Sequence, residues 1–260
     1  VPVEVSHYGR EALTDARLDW RVVKVTEEIL REGEILPEEI RQGENTPAGN
    51  LKFSVDVSES CLCRLELTLT AKQLEQPVRN SWAITVFAEK RVSENPAEVV
   101  ATKDWKEAKA ALEEGKRVLY TPYLTSLDYE CPALSIKNVF WNSQLGPTWS
   151  RPLGLIVEKE NVLFRKFPTE ESGGWQWEDI LRQSRGFRLD GLEGAEVLVR
   201  AIDDWNRNLS LGLIWQARVG KGSLLVASAN LEGSFIERPA AYSLKQELLS
   251  YIASEHFRPG

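Results

Sequence analysis

The chain has 260 residues, 42% hydrophobic and 27% charged, with a formal net charge of −7. That is the composition of a globular protein long enough to bury one large core or two smaller ones without staples. The acidic balance, with no basic stripe, argues against a nucleic-acid partner, and no apolar run approaches the roughly 18 residues of a membrane span.

The start, Val1-Pro2-Val3-Glu4, has neither the basic nor the apolar region of a secretory leader. The sequence contains no Met, so it reads as a processed chain or an excised piece. Residues 1–92 then read as strands. Val1, Val3 and Val5 alternate with polar neighbours, as do Leu18, Trp20 and Val22, then Leu51, Phe53, Val55 and Val57. Leu65, Leu67 and Leu69 follow, and Trp82, Ile84 and Val86 close the series. A period of two marks half-buried strands. Breaks at Tyr8-Gly9, Glu32-Gly33, Gly43 to Gly49 and Gln76-Pro77 separate them, and the whole predicts an antiparallel sandwich. Glu27 to Glu44 holds seven acids and two arginines, which predicts a solvated edge or loop.

The period changes after the polar cluster Ser93-Glu94-Asn95-Pro96, which predicts a linker and a second domain over 93–260. Val99-Val100-Ala101 predicts a strand. Thr102 is placed to cap a helix whose inner face is Trp105, Ala108 and Leu112, and Gly115 is placed as its C′ residue. Lys116 to Tyr120 is the next strand, so the unit is βαβ with parallel pairing. Further strands are predicted at Gly154–Val157, Glu196–Ala201, Leu209–Ala217 and Ser223–Ala229. Helices are predicted at Trp175 to Gln183 and from Pro239 to Ser254, the latter with an apolar face of Leu244, Leu248, Tyr251 and Ile252. The second half therefore reads as a three-layer α/β domain.

The chemistry looks sparse. No Gly-x-Ser-x-Gly elbow exists for a nucleophile. His7 beside Tyr8-Gly9 suits a turn hydrogen bond, and His256 lies near a helix end, so neither has the orienting partner that catalysis requires. Cys61, Cys63 and Cys131 form an odd set with no Cys-x-x-Cys, which predicts free thiols and no metal site. Gly220-Lys221-Gly222-Ser223 lacks the upstream Gly of a phosphate loop and has strands on both sides, so it reads as a hairpin turn. The acidic pairs Asp203-Asp204, Glu170-Glu171 and Glu178-Asp179 have no spacing that would fix two carboxyls across a sugar. No catalytic residue, cofactor or metal is assigned.

Large contact residues are abundant by contrast. Six of the nine tryptophans lie between Asn138 and Gly222. Trp141, Trp149, Trp175, Trp177 and Trp205 sit beside Asn, Gly, Pro or Asp, and an exposed indole stacks well on the apolar face of a pyranose. These five are the candidate glycan contacts, with core packing as the competing role. Trp175 and Trp177, two apart, cannot both face inward on a helix, so one of them is the best exposed candidate.

Several motifs taken in order resemble a known family. They are Val139-Phe140-Trp141-Asn142, Gly154-Leu155-Ile156, Phe167-Pro168-Thr169-Glu170, Trp175-Gln176-Trp177, and Leu211 to Ile214 running into Ala217-Arg218-Val219-Gly220-Lys221-Gly222. Together they resemble the C-terminal region of bacterial glycoside hydrolase family 2 proteins, the β-galactosidase-like enzymes with a sugar-binding domain. Val3 to Gly9 looks like the opening of their late β-sandwich, and Asn80 to Val86 like its last strand. The resemblance implies an immunoglobulin-like sandwich over 1–92. Over 93–260 it implies an α/β domain similar to class I glutamine amidotransferases without their active site. The family hydrolyses O-glycosidic bonds with two carboxylates in a (β/α)₈ barrel. Such a barrel needs about 250 residues, whereas the α/β half has about 165, and the sequence has no Asn-Glu dipeptide to match the family's acid/base. The expectation is a non-catalytic C-terminal part of a glycosidase, inactive alone, serving structural support, oligomer contacts or glycan positioning. Its partners would be the absent barrel, carbohydrate and further copies of itself, in a parent exported to the periplasm or medium. The alternative is a free-standing carbohydrate-binding or protein-interaction module.

Overall fold

Apolar alternation dominates the chain, and the fold is accordingly β-rich, with 38% strand and 14% helix in several sheets. The computed structural model describes residues 1–90, 98–127, 131–136, 152–205 and 207–260. They fall into two compact units, Val1–Val86 and Phe87–Gly260, each with its own core.

The first unit contains β1 (Pro2–His7), β2 (Leu13–Thr14), β3 (Arg17–Lys24), β4 (Ile29–Ile35), β5 (Glu39–Ile40), β6 (Glu44–Asn50), β7 (Cys61–Thr70) and β8 (Val78–Val86). Four of these make an antiparallel sheet in the order β4-β3-β7-β8, while β1 pairs with β6 and β2 with β5. The inward residues Leu18, Trp20, Val22, Leu65, Leu67 and Leu69 form the core with Leu13, Ile40 and Leu51. Each such side chain contributes about 1.5–3 kcal/mol through burial.

Three expectations change here. The predicted strand at Leu51 to Val57 is not in a ladder. Its alternation survives because the side chains still pack inward, with Phe53 stacked on Trp20 at 5.2 Å between ring centroids. The predicted break at Gly43 to Gly49 is β6. Pro47 is tolerated there because β6 has β1 on one side only, so its missing N–H interrupts no second ladder. The predicted break at Glu32-Gly33 lies inside β4, whose charges point outward from the sheet edge, so the acidic stretch does supply a solvated edge as expected.

The second unit contains β9 (Val99–Thr102), α1 (Trp105–Glu113), β10 (Arg117–Tyr120), β11 (Gly154–Val157), α2 (Gln176–Leu181), β12 (Phe187–Arg188), β13 (Glu196–Ile202), β14 (Ser210–Val219), β15 (Gly222–Ala227) and α3 (Pro239–Ala253). The sheet order is β11-β13-β14-β15-β10-β9, with β12 on β14. β9, β10 and β15 are parallel, and the other pairings are antiparallel. Alternation divides the parallel strands between two clusters. Val118, Leu224 and Val226 pack with Ala108, Ala111 and Leu112 of α1. Leu119, Leu225 and Ala227 pack with Leu244, Leu248 and Ile252 of α3.

Local chemistry sets the helix ends. Asp104, not Thr102, caps α1: its carboxylate accepts from Lys106 N–H at 2.8 Å. Thr102 Oγ1 instead accepts from Asp104 N–H and donates to Glu107. Trp105, expected on the inner face, is 45% exposed and lays its edge on Tyr120. Gly115 follows α1 with φ +84°, the left-handed conformation that its C′ position requires. Val219 pairs with Gly222, so Gly220-Lys221 is a two-residue hairpin turn. Gly222 has no room for a side chain, since a Cβ there would sit 2.8 Å from Leu112 Cα, Leu112 O and Lys116 O.

Candidate functional site

Sheet register collects the polar loops of the second unit on one edge. β10 and β15 run together to Tyr120 and Val226. β14 runs the other way, from Ser210, and Ser210 pairs with Ile202 at the end of β13. The loops after β9, β10, β13 and β15 therefore leave from the carboxyl edge of the parallel strands.

Charged and polar groups there are tied together. Lys103, after β9, bonds Glu232, and its Nζ lies 5.4 Å from the centroid of the Tyr123 ring. The Lys103 hydrogen bond holds Glu232 below the usual carboxylate range against partial burial. Arg238 donates from Nε to Asp179 at 2.9 Å and from its terminal nitrogens to the carbonyls of Glu232, Asn230 and Asp179. Asn230 N–H donates to Ser184 Oγ at 2.7 Å, and Ser228 Oγ donates to the Arg185 carbonyl at 2.7 Å. Planar guanidinium geometry suits Arg238 to this multiple role. The network clamps the loop after β15 to α2 and the turn that follows it.

The β13–β14 loop is built around Asp203. Its carboxylate accepts from Arg207 Nε at 2.9 Å and from Leu209 N–H at 2.9 Å. Burial pushes its pKa up, but the hydrogen bonds from Arg207 and the backbone, with the Arg207 charge, prevail and hold it below the usual range. Asp204, fully buried, caps the same turn by accepting from Arg207 N–H. This folded turn presents Trp205 at 60% exposure.

The predicted glycan contacts separate sharply. Trp175 precedes α2 and is 74% exposed. Trp177 is fully buried, so it cannot meet a sugar. Its indole N–H donates to Thr169 Oγ1 at 2.9 Å, and its ring packs edge-on against Phe164 and Phe167. Gln176 Nε2 also reaches the Pro168 carbonyl at 3.0 Å. The Phe167-Pro168-Thr169-Glu170 and Trp175-Gln176-Trp177 motifs thus form one packing unit. Trp141 and Trp149 lie outside the described residues. Among the described residues no ring contact joins Trp175 to Trp205.

Among the described residues the candidate acid–base and nucleophilic groups lie elsewhere or are held in structural bonds. His7 Nε2 bonds the Glu11 carbonyl at 2.8 Å in an exposed turn, and His256 is exposed after α3. All three cysteines are free. Cys61 and Cys63 lie 3.6 Å apart, sulfur to sulfur. Burial first, then Cys61, pushes the Cys63 thiol up to about 12, far from a reactive thiolate. Glu178 is paired with Arg182 and Asp179 with Arg238. Among the described residues no three His, Cys, Asp or Glu side chains cluster as metal ligands would. Sequence reading missed the Asp203–Arg207 turn and the Arg238 clamp. The spacing Asp203-x-x-x-Arg207 was the available signal for the first, while Arg238 meets Asp179 across 59 residues and left none.

No curated protein matches the chain. Residues 1–88 match a family described as Domain of unknown function (DUF8488). Residues 99–260 match a second, Domain of unknown function (DUF8487), and with well over half of the sequence inside that match the chain belongs to the DUF8487 family.

Proposed function

We propose that this chain is a non-catalytic, carbohydrate-facing part of a larger glycoside hydrolase family 2-like protein. In this reading residues 1–92 form an immunoglobulin-like sandwich. Residues 93–260 form an α/β domain similar to a class I glutamine amidotransferase that has lost its active site. The observation that carries the reading is the state of the carboxyl edge. Its charged groups are engaged in loop-holding bonds, and Trp205 stands exposed on its β13–β14 loop, while Trp175 stands exposed ahead of α2. Among the described residues these bonds support or position, and no base there is aimed at a nucleophile. The chain would brace a barrel carried by the same parent and present indole faces to glycan, alone or in an oligomer.

Two exposed indoles also favour the second reading, a free-standing carbohydrate-binding module. Titration with oligosaccharides, followed by tryptophan fluorescence, tests the glycan contact common to both. A saturable change lost in W175A or W205A supports it, and no change at millimolar sugar (a binding free energy weaker than about −4 kcal/mol) removes it. The reading frame upstream of Val1 distinguishes the two: a barrel-coding sequence supports the first, and a short frame beginning near Val1 supports the second. Glycosidase turnover by the chain alone would overturn both.

A further inference from the structure

Away from the carboxyl edge, the second unit has a cleft of about 290 Å³ between the face of α3 and the turn Val162–Phe164. Lys90, Arg165 and Lys166 line it, opposite Glu247 and Ser250 of α3. Three cations and one carboxylate leave a charge of +2 (three minus one) in the cleft of a chain whose net charge is −7. Among the described residues none of the three cations is closed into an ion pair of hydrogen-bonding length. Lys90 and Lys166 do act on Glu247 through charge, but burial prevails and keeps its pKa above the usual range. Glu247 is thus the one carboxylate lining a cleft with three positive groups, and burial disfavours its charge. Arg17, Arg64, Arg207 and Arg238, by contrast, are each paired with a neighbouring acid.

We propose that this cleft binds the dianionic phosphate of a small phosphate monoester. The charge matches, and complementary charge is what draws a small anion into a cleft. Arg165 supplies a planar fork for two phosphate oxygens, and Lys90 and Lys166 supply point charges. Ser250 offers a hydroxyl donor. Glu247 cannot face the phosphate oxygens without repulsion, so it accepts from hydroxyl groups on the organic part of the ligand. A sugar phosphate has that pattern of one anion beside several hydroxyls. Inorganic phosphate shares the anion and lacks the hydroxyls. The assignment is independent of the glycan contact proposed above, since it uses different residues.

Calorimetry on the whole chain with inorganic phosphate and with glucose 6-phosphate tests it. One saturable site is expected, weakened at least about tenfold in R165A/K166A, the factor that corresponds to 1.4 kcal/mol. Arg165 and Lys166 are exposed, so this variant keeps the wild-type thermal midpoint and its loss of binding is not a loss of fold. E247Q removes the repelling charge and binds inorganic phosphate several-fold more tightly. Glucose 6-phosphate binding more tightly than inorganic phosphate, with the difference shrinking in E247Q, assigns the hydroxyl contacts to Glu247. Equal affinity for the two probes overturns that role of Glu247. Absence of saturable binding by either probe overturns the site, as does affinity that is unchanged in R165A/K166A or unchanged in E247Q.

Discussion

Replacing Gly222 by Ala places a methyl group 2.8 Å from Leu112 Cα, Leu112 O and Lys116 O. Comfortable carbon contacts lie at about 3.5–4.0 Å, so the structure must open by roughly 0.7–1.2 Å. No side chain can rotate away, because all three neighbours are backbone. Lys116 N–H is bonded to Ala111 O at 3.0 Å, and Lys116 O accepts from Ser223 N–H at 3.2 Å, so the contact is tied at both ends. The helix α1 would have to move, parting Ala108, Ala111 and Leu112 from Leu224 and Val226. Overpacking of this kind costs about 1–3 kcal/mol, and the lower unfolded-state entropy of Ala returns about 0.4–1 kcal/mol. The expected net loss is about 1–2 kcal/mol, a fall of roughly 0.5–1 M in the urea midpoint for an ordinary denaturant slope. Gly154 is the control, since a Cβ there meets only Ile202 Cδ1, at 4.0 Å. Equilibrium urea unfolding followed by far-UV circular dichroism reads both variants. If G222A unfolds at the same midpoint as G154A and the wild type, the helix does not rest on this strand as described.

Three further outcomes are expected. T169V deprives the buried Trp177 N–H of its acceptor and costs about 1–3 kcal/mol, whereas in a W177F background the same substitution is nearly neutral; additive effects in the double-mutant cycle would refute the bond. Asp203 has a lowered folded pKa, so the stability it contributes is present above the ordinary carboxylate value of about 4 and is lost as pH falls through the folded value. D203N should therefore flatten the acid limb of a stability profile measured from about pH 5 to pH 2, and parallel profiles for variant and wild type would sink the assignment. R238K keeps the charge but loses the fork that reaches Asp179 and three carbonyls, and should cost about 1–3 kcal/mol in thermal or urea unfolding; a wild-type midpoint would show that the clamp contributes nothing.

What the sequence revealed followed local period. The strands from Leu18, Leu65 and Trp82, the helix beginning at Pro239 and the hairpin at Gly220-Lys221 lie where alternation, a helical face or turn chemistry placed them. Local period could not tell that Leu51 to Val57 packs its side chains without a ladder, because burial and backbone pairing are separate requirements. Nor could it tell that β6 runs through Pro47, whose tolerance depends on there being one neighbour strand. Asp104, not Thr102, caps α1, since the helix begins at Trp105 and the Thr102 hydroxyl is engaged with Glu107 and Asp104 N–H. At the site, the pairing of an exposed and a buried Trp was foreseeable from helical spacing alone, but which of the two was buried depended on Phe164, Phe167 and Thr169. The phosphate cleft joins Lys90, Arg165 and Glu247 from three distant segments and has no linear signature.

The position of β15 also bears on the order of assembly. β15 is the last strand made, yet it lies between β10 and β14 in the middle of the sheet. Arg117 pairs with Ser223, 106 positions later (223 − 117). As the chain emerges during synthesis, β9 and β10 must wait without an inner neighbour, and β11, β13 and β14 form a separate half. Neither half can become a finished sheet until residue 227 is available. Such long-range closure is slow, and the waiting strands expose open edges to other nascent chains. This unit should therefore fold late and all at once, with truncation just before Gly222 leaving two aggregation-prone halves, not a smaller native domain.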